Sequence, residues 1–191
     1  MSVIPSDTLA IFNQQGYAAG IEPSQGGARI WPPSGTSTHY LNEVVVNPKG
    51  KFGYKNAAGT KIDLDVPTVA FKFTWAEDPE QAAGTKQTGL EWESEPIHIL
   101  TQAQFQGLPA NHQQRVEIAY ARLLGSLSAL FGRKVSMPEL GSLLPKITEA
   151  AQNPTAPLAV KVYVKNQPNK KDSKYQDQEC QIREVVSGAI A

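Results

Sequence analysis

Cations that alternate with a tyrosine along an extended backbone are the chemically suggestive residues of this sequence. Within 157–186, PLAVKVYVKNQPNKKDSKYQDQECQIREVV, Lys161, Tyr163 and Lys165 share one parity while Leu158, Val160, Val162 and Val164 share the other. That is the period of a strand with one buried face, so the opposite face is basic and aromatic. The polar run NQPNKKDSK carries Lys170, Lys171 and Lys174 and reads as an exposed connection. A second strand follows over 175–186, with Cys180 and Ile182 on one parity and Gln181, Arg183 and Val185 on the other. Such a hairpin suits a flexible polyanion: cations neutralise phosphates and release counterions, and a tyrosine ring stacks on a base. The alternative is a solvated hairpin whose lysines keep its edge soluble.

A second set of the same residue types lies earlier, as Lys49, Lys51, Phe52, Tyr54 and Lys55. Interleaved lysines and aromatics fit a loop that binds single strands. They equally fit a hairpin whose Phe52 and Tyr54 pack on the body of the domain.

Other chemistries find little support. Glu91, Glu93 and Glu95 converge on one strand face, but His39, His98 and His112 form no ligand motif beside them, and a hydrolytic metal site draws ligands from several elements. Three carboxylates on one face would repel phosphate. Cys180 is the only cysteine, which excludes an internal disulfide and fits a packed thiol in a reducing compartment. No phosphate-binding loop, dinucleotide fingerprint, nucleophile elbow or zinc spacing is present. The expectation is a non-enzymatic protein with no cofactor and no metal.

Composition sets the frame for these segments. The chain has 191 residues, 40% hydrophobic and 19% charged, with 18 basic and 18 acidic residues. That favours one soluble globular domain with a substantial core. Net charge gives no argument for a polyanionic partner, so the argument rests on distribution: acids cluster at 77–95 and lysines at 49–61 and 161–174. The N-terminal stretch MSVIPSDTLAIFNQQGYAAG lacks a basic region before an apolar run, and no apolar run has the length of a membrane helix. A soluble cytoplasmic protein with no membrane contact is expected.

The positioning elements follow from periodicity. A short helix over 8–15 and a Gly/Pro-rich stretch at 20–35 make residues 1–35 an irregular N-terminal arm, with Trp31 as an anchor or an exposed stacking group. Strands are expected at 39–46 and 51–55, separated by a turn at Asn47-Pro48-Lys49-Gly50, then at 61–66, 68–75 and 90–95. Residues 101–133 change to helical spacing through Val116, Tyr120, Leu123, Leu124, Leu127, Leu130 and Phe131, stopped by Gly132. A shorter helical segment over 137–151 is interrupted by Pro145. The fold class expected is mainly β with helices (α+β): a five-stranded OB-fold-like barrel over 36–186, with a helical insertion at about 101–152 between strands 3 and 4. Residues 187–191 form a tail.

On this layout the chain resembles the OB-fold single-stranded-DNA-binding proteins of bacteriophage replication and recombination modules. The residues that carry the resemblance are Pro33-Ser34-Gly35-Thr36 leading to Tyr40, the helix ending Leu127-Ser128-Ala129-Leu130-Phe131-Gly132, and the finish from Leu158 to Val164 through Tyr175 and Ile182 to Val186. The resemblance spans roughly 32–186. It implies sequence-tolerant binding of single-stranded DNA during replication, recombination or repair, in the cytoplasm of an infected bacterium, with replication or recombination proteins as further partners. The last five residues, Ser187 to Ala191, carry no acid, so recruitment of partners through an acidic tail is not expected. The alternative is a structural or assembly module of a phage that self-associates and binds no nucleic acid.

Overall fold

Alternating apolar residues become one six-stranded antiparallel sheet in the computed structural model, which describes residues 35–76, 89, 91–168 and 176–190. In chain order come β1 (Gly35–Lys55), β2 (Lys61–Trp75), β3 (Glu91–Glu93), β4 (Ile97–His98), α1 (Gln102–Gln106), α2 (Ala110–Phe131), a 3-10 turn at Met137–Glu139, α3 (Leu140–Ala151), β5 (Ala159–Pro168) and β6 (Gln176–Ser187). The sheet order is β3-β2-β1-β5-β6, with β4 paired to β2. The protein is thus α+β. The N-terminal arm with Trp31, the acidic stretch 77–88 and the lysines at 170, 171 and 174 lie outside the described residues.

Where a turn is expected at Asn47-Pro48-Lys49-Gly50, β1 runs straight on. The turn residues are absorbed as a bulge, with Asn47 opposite Thr68 and Gly50 opposite Val66. Asn47 Oδ1 accepts from Lys49 N at 2.9 Å, closing a local loop inside the strand. Gly50 is required there, because a Cβ would stand 2.3 Å from Thr68 Cγ2. β2 is likewise one strand through Pro67.

The bulge has a structural consequence. On β2, Ile62, Leu64 and Val66 point to one face and Val69, Phe71, Phe73 and Trp75 to the other, so the buried face switches at 66–71, where every residue is buried. Phe52 and Tyr54 pair with Leu64 and Ile62 on the first of these faces.

The expected strand at 90–95 splits into β3 and β4 around Ser94-Glu95-Pro96, and the sheet has six strands among the described residues where a five-stranded barrel is expected. Among the described residues no ladder joins β3 or β4 to β6, and the sheet is not closed. Helix α2 lies along the gap. Ser126 Oγ accepts from Ile182 N at 3.0 Å, Arg122 pairs with Glu179 at 2.8 Å, and the Tyr120 hydroxyl accepts from Leu100 N at 2.9 Å. Gly125 is buried beside Ser126. Gly132 ends α2 at φ 61°, in the left-handed region that favours glycine. Pro145 does not interrupt α3, which runs through it with the ring exposed.

The core joins Leu41, Val44, Phe71 and Phe73 of the sheet, Val160, Val162 and Ile182 of the terminal hairpin, and the apolar face of α2 and α3. His39 lies in it, fully buried. The Trp92 indole N–H can only donate and reaches His39 Nδ1 at 3.1 Å, so the ring's proton sits on Nε2 and is donated to Ser37 Oγ at 2.8 Å. This chain ties β3 to β1 inside a cage of Phe73, Trp75 and Trp92 rings.

Candidate nucleic-acid interface

The register of β5 against β1 decides what shares a surface. Tyr163 lies opposite Thr36, Lys161 opposite Thr38 and Ala159 opposite Tyr40, while Val160 and Val162 oppose His39 and Ser37 on the buried face. Residues directly opposite in an antiparallel ladder project to the same side. The outward face of the terminal hairpin therefore continues onto Thr36, Thr38 and Tyr40. Tyr40 is 42% exposed. It is absent from the residues expected at the site, and its parity relative to the buried His39 and Leu41 places it on the outward face.

On β6 the alternation is broken by a bulge. Ile182 pairs with Val162 and Glu184 with Lys161, which leaves Arg183 as the extra residue and turns Val185 toward the core. Sequence parity grouped Val185 with Arg183; the bulge separates them. Arg183 leans over Tyr163, its guanidinium carbon 5.1 Å from the ring centre, a cation–π contact. Lys161, Tyr163, Lys165 and Arg183 are all half-buried. One surface thus presents three cations around a tyrosine, with Glu184 directly opposite Lys161.

The earlier set is arranged differently. Lys51 and Lys55 pair with Asp65 and Lys61 on one face of the β1–β2 hairpin, whereas Phe52 and Tyr54 project from the other. Phe52 packs against His98 with ring centres 5.4 Å apart, and Tyr54 against His112 at 5.9 Å. The aromatics are half-buried anchors. Lys51 forms an ion pair with Asp65, whose hydrogen bond and charge hold the ammonium above the ordinary lysine value. Lys61 pairs with Asp63 at 2.8 Å. Lys49 and Lys55 are exposed. The two basic sets also lie far apart along β1: Lys165 stands beyond the partner of Gly35, at the strand's start, while Lys51 and Lys55 mark its end. At ~3.3 Å per residue that is roughly 50 Å of strand contour.

Glu91 and Glu93 fall on the sheet's opposite edge, whereas Glu179 and Glu184 lie on β6 opposite Lys165 and Lys161. Glu91 and Glu93 of β3 flank Thr74 and Lys72, and Lys72 pairs with Glu91 at 3.2 Å. Cys180 sits in the gap between β6 and residues 94–97, beside a cavity of about 80 Å³ lined by Ser94, Arg122 and Ser126. Burial pushes its thiol up to about 12, against a hydrogen bond from Ser94 and the charge of Arg122. A thiol so placed is a packing group rather than a nucleophile at neutral pH.

No helix among the described residues is long and apolar enough to cross a membrane. Comparisons with protein-family models, curated proteins and solved structures find no match to this chain.

Proposed function

We propose that the protein binds single-stranded DNA without catalysis, through the outward face of β5 and β6 and its continuation onto β1. The observation that carries this reading is the Arg183–Tyr163 pair at 5.1 Å with Lys161 and Lys165 beside it. A guanidinium beside a phenol combines a cation that attracts phosphate with a ring on which a base can stack. The sequence between β5 and β6 adds Lys170, Lys171 and Lys174. The Lys49 to Lys55 segment contributes long-range attraction rather than stacking.

The sheet order and the helices between β4 and β5 support an open variant of the OB layout, with α2 standing along the gap between β6 and the β3–β4 segment. On this reading the binding at the β5–β6 face is sequence-tolerant and serves phage replication, recombination or repair in the host cytoplasm, alongside other replication or recombination proteins. Replacing Lys170, Lys171 and Lys174 together by alanine tests the loop's share: weaker binding with a flatter salt dependence is expected, and unchanged affinity removes the loop from the site.

One observation favours a structural module instead. Lys51, Lys61 and Lys72 each have a carboxylate partner, which lowers the charge that the β1–β2 side offers a polyanion. Salt-insensitive self-association without DNA affinity would decide for that alternative.

A further inference from the structure

The face that carries Tyr40 continues along β1 and β2 to a groove of about 380 Å³ lined by Asn47, Gly50, Lys51, Thr68, Glu93 and His98, with Val45 and Ala70 as its floor. This volume falls within the roughly 300–1,000 Å³ of small-ligand sites. Three small residues keep it open: Val45 and Ala70 are directly paired, and Gly50 has no room for a Cβ. Its polar groups are mostly neutral. Asn47 Oδ1 accepts from Lys49 N, which leaves the amide hydrogens as donors. His98 accepts no proton readily, since burial lowers its pKa, and its Nε2 lies 3.0 Å from the Lys51 carbonyl, to which it donates. The Lys51 ammonium is engaged by Asp65 on the opposite face of the strand. The Glu93 carboxylate is the remaining charge in the lining.

An anion would meet Glu93, and among the described residues that line the groove the one ammonium, Lys51, is held by Asp65. A flat floor, amide and hydroxyl donors and one carboxylate acceptor suit a neutral planar ring that itself carries donor hydrogens. We infer that this groove seats a nucleobase bearing an exocyclic amino group, which donates to Glu93, and that it discriminates against thymine, which has none. The inference rests on the single-strand reading only for the source of the base; a free nucleoside has the same chemistry.

The test uses the full chain, labelled with nitrogen-15, titrated with cytidine and with thymidine. Cytidine is expected to shift the amides of Asn47, Gly50, Thr68, Ala70 and His98 saturably, and thymidine to leave them in place. Oligodeoxycytidylate should then bind on the order of tenfold tighter than oligothymidylate, and Glu93→Gln should bring the two together. Glu93 is exposed, so this substitution leaves the fold intact. Unmoved amides with cytidine, equal shifts from both nucleosides, shifts from a simple amine such as putrescine instead, or an unchanged preference in Glu93→Gln would each overturn the inference. Cytidine shifts without binding of either oligonucleotide would uphold the groove and remove the single-strand reading. Equal oligonucleotide binding with silent amides would do the reverse.

Discussion

The guanidinium carbon of Arg183 stands 5.1 Å from the centre of the Tyr163 ring on the outward face of the terminal hairpin. A β-bulge produces this contact by making Arg183 the unpaired residue between Ile182 and Glu184. Tyr163→Ala should lower single-strand affinity by about 1–3 kcal/mol, the worth of one base stacked on an aromatic ring. Tyr163→Phe should keep most of it. Fluorescence anisotropy of a labelled oligonucleotide reads both, and an alanine variant that binds like the parent would separate Tyr163 from the site.

Phe52 behaves as an anchor, since its ring packs on His98 and Leu64 lies opposite it. Phe52→Ala should therefore cost stability, about 1–3 kcal/mol in denaturant unfolding, below the roughly 3–5 of a fully buried phenylalanine. Single-strand affinity of the folded variant should change little. A large loss of affinity with unchanged stability would return Phe52 to the binding surface.

Ser126 closes the distance between α2 and the free side of β6 by accepting from Ile182 N. Ser126→Ala leaves that buried donor unmatched, at a cost of about 1–3 kcal/mol. Ser126→Thr, which keeps the hydroxyl, should recover part of the loss. Equal stability of Ser126→Ala and the parent would show that the N–H finds another acceptor.

His98 links stability to acid. Burial is the main cause of its lowered pKa, and the hydrogen bond to the Lys51 carbonyl offsets part of it. The folded state thus takes up this proton less readily than the unfolded chain. Its contribution is fully present above the unfolded pKa of about 6.5 and is lost as pH falls through the folded value. Thermal unfolding from about pH 7 to about pH 5 should show a steeper decline in the parent than in His98→Gln. Parallel declines would mean that His98 titrates alike in both states.

The order of elements was legible because each carries its own period. The odd-numbered run Val69 to Trp75 and the alternation from Leu158 to Val164 sit in the sheet as read, and Gly132 stops the long helix. Asn47-Pro48-Lys49-Gly50 has the composition of a turn and yet forms a bulge, because local turn chemistry operates equally well inside a strand whose partner continues past it. The change of buried face between Ile62, Leu64 and Val66 and the odd-numbered run after them emerges only with the burial of 66–71. Parity alone also assigned Val185 outward; only the pairing of Glu184 with Lys161 reveals the extra residue. His39 was unreadable as a core group, since its partners Ser37 and Trp92 come together through strand pairing across the sheet. Lys161, Tyr163, Lys165 and Arg183 remain one surface, and the Lys49 to Lys55 set is divided between two faces.

The central claim is that the β5–β6 face binds a single strand through its cations. It is tested most directly by the salt dependence of single-strand affinity in the parent and in Lys161→Ala/Arg183→Ala. Each lost phosphate contact lowers the slope of log affinity against log salt by about 0.7, so the pair should lower it by roughly 1.4 and weaken binding at every salt concentration. An unchanged slope and affinity, or a parent protein that binds no single strand at low salt, would contradict the account.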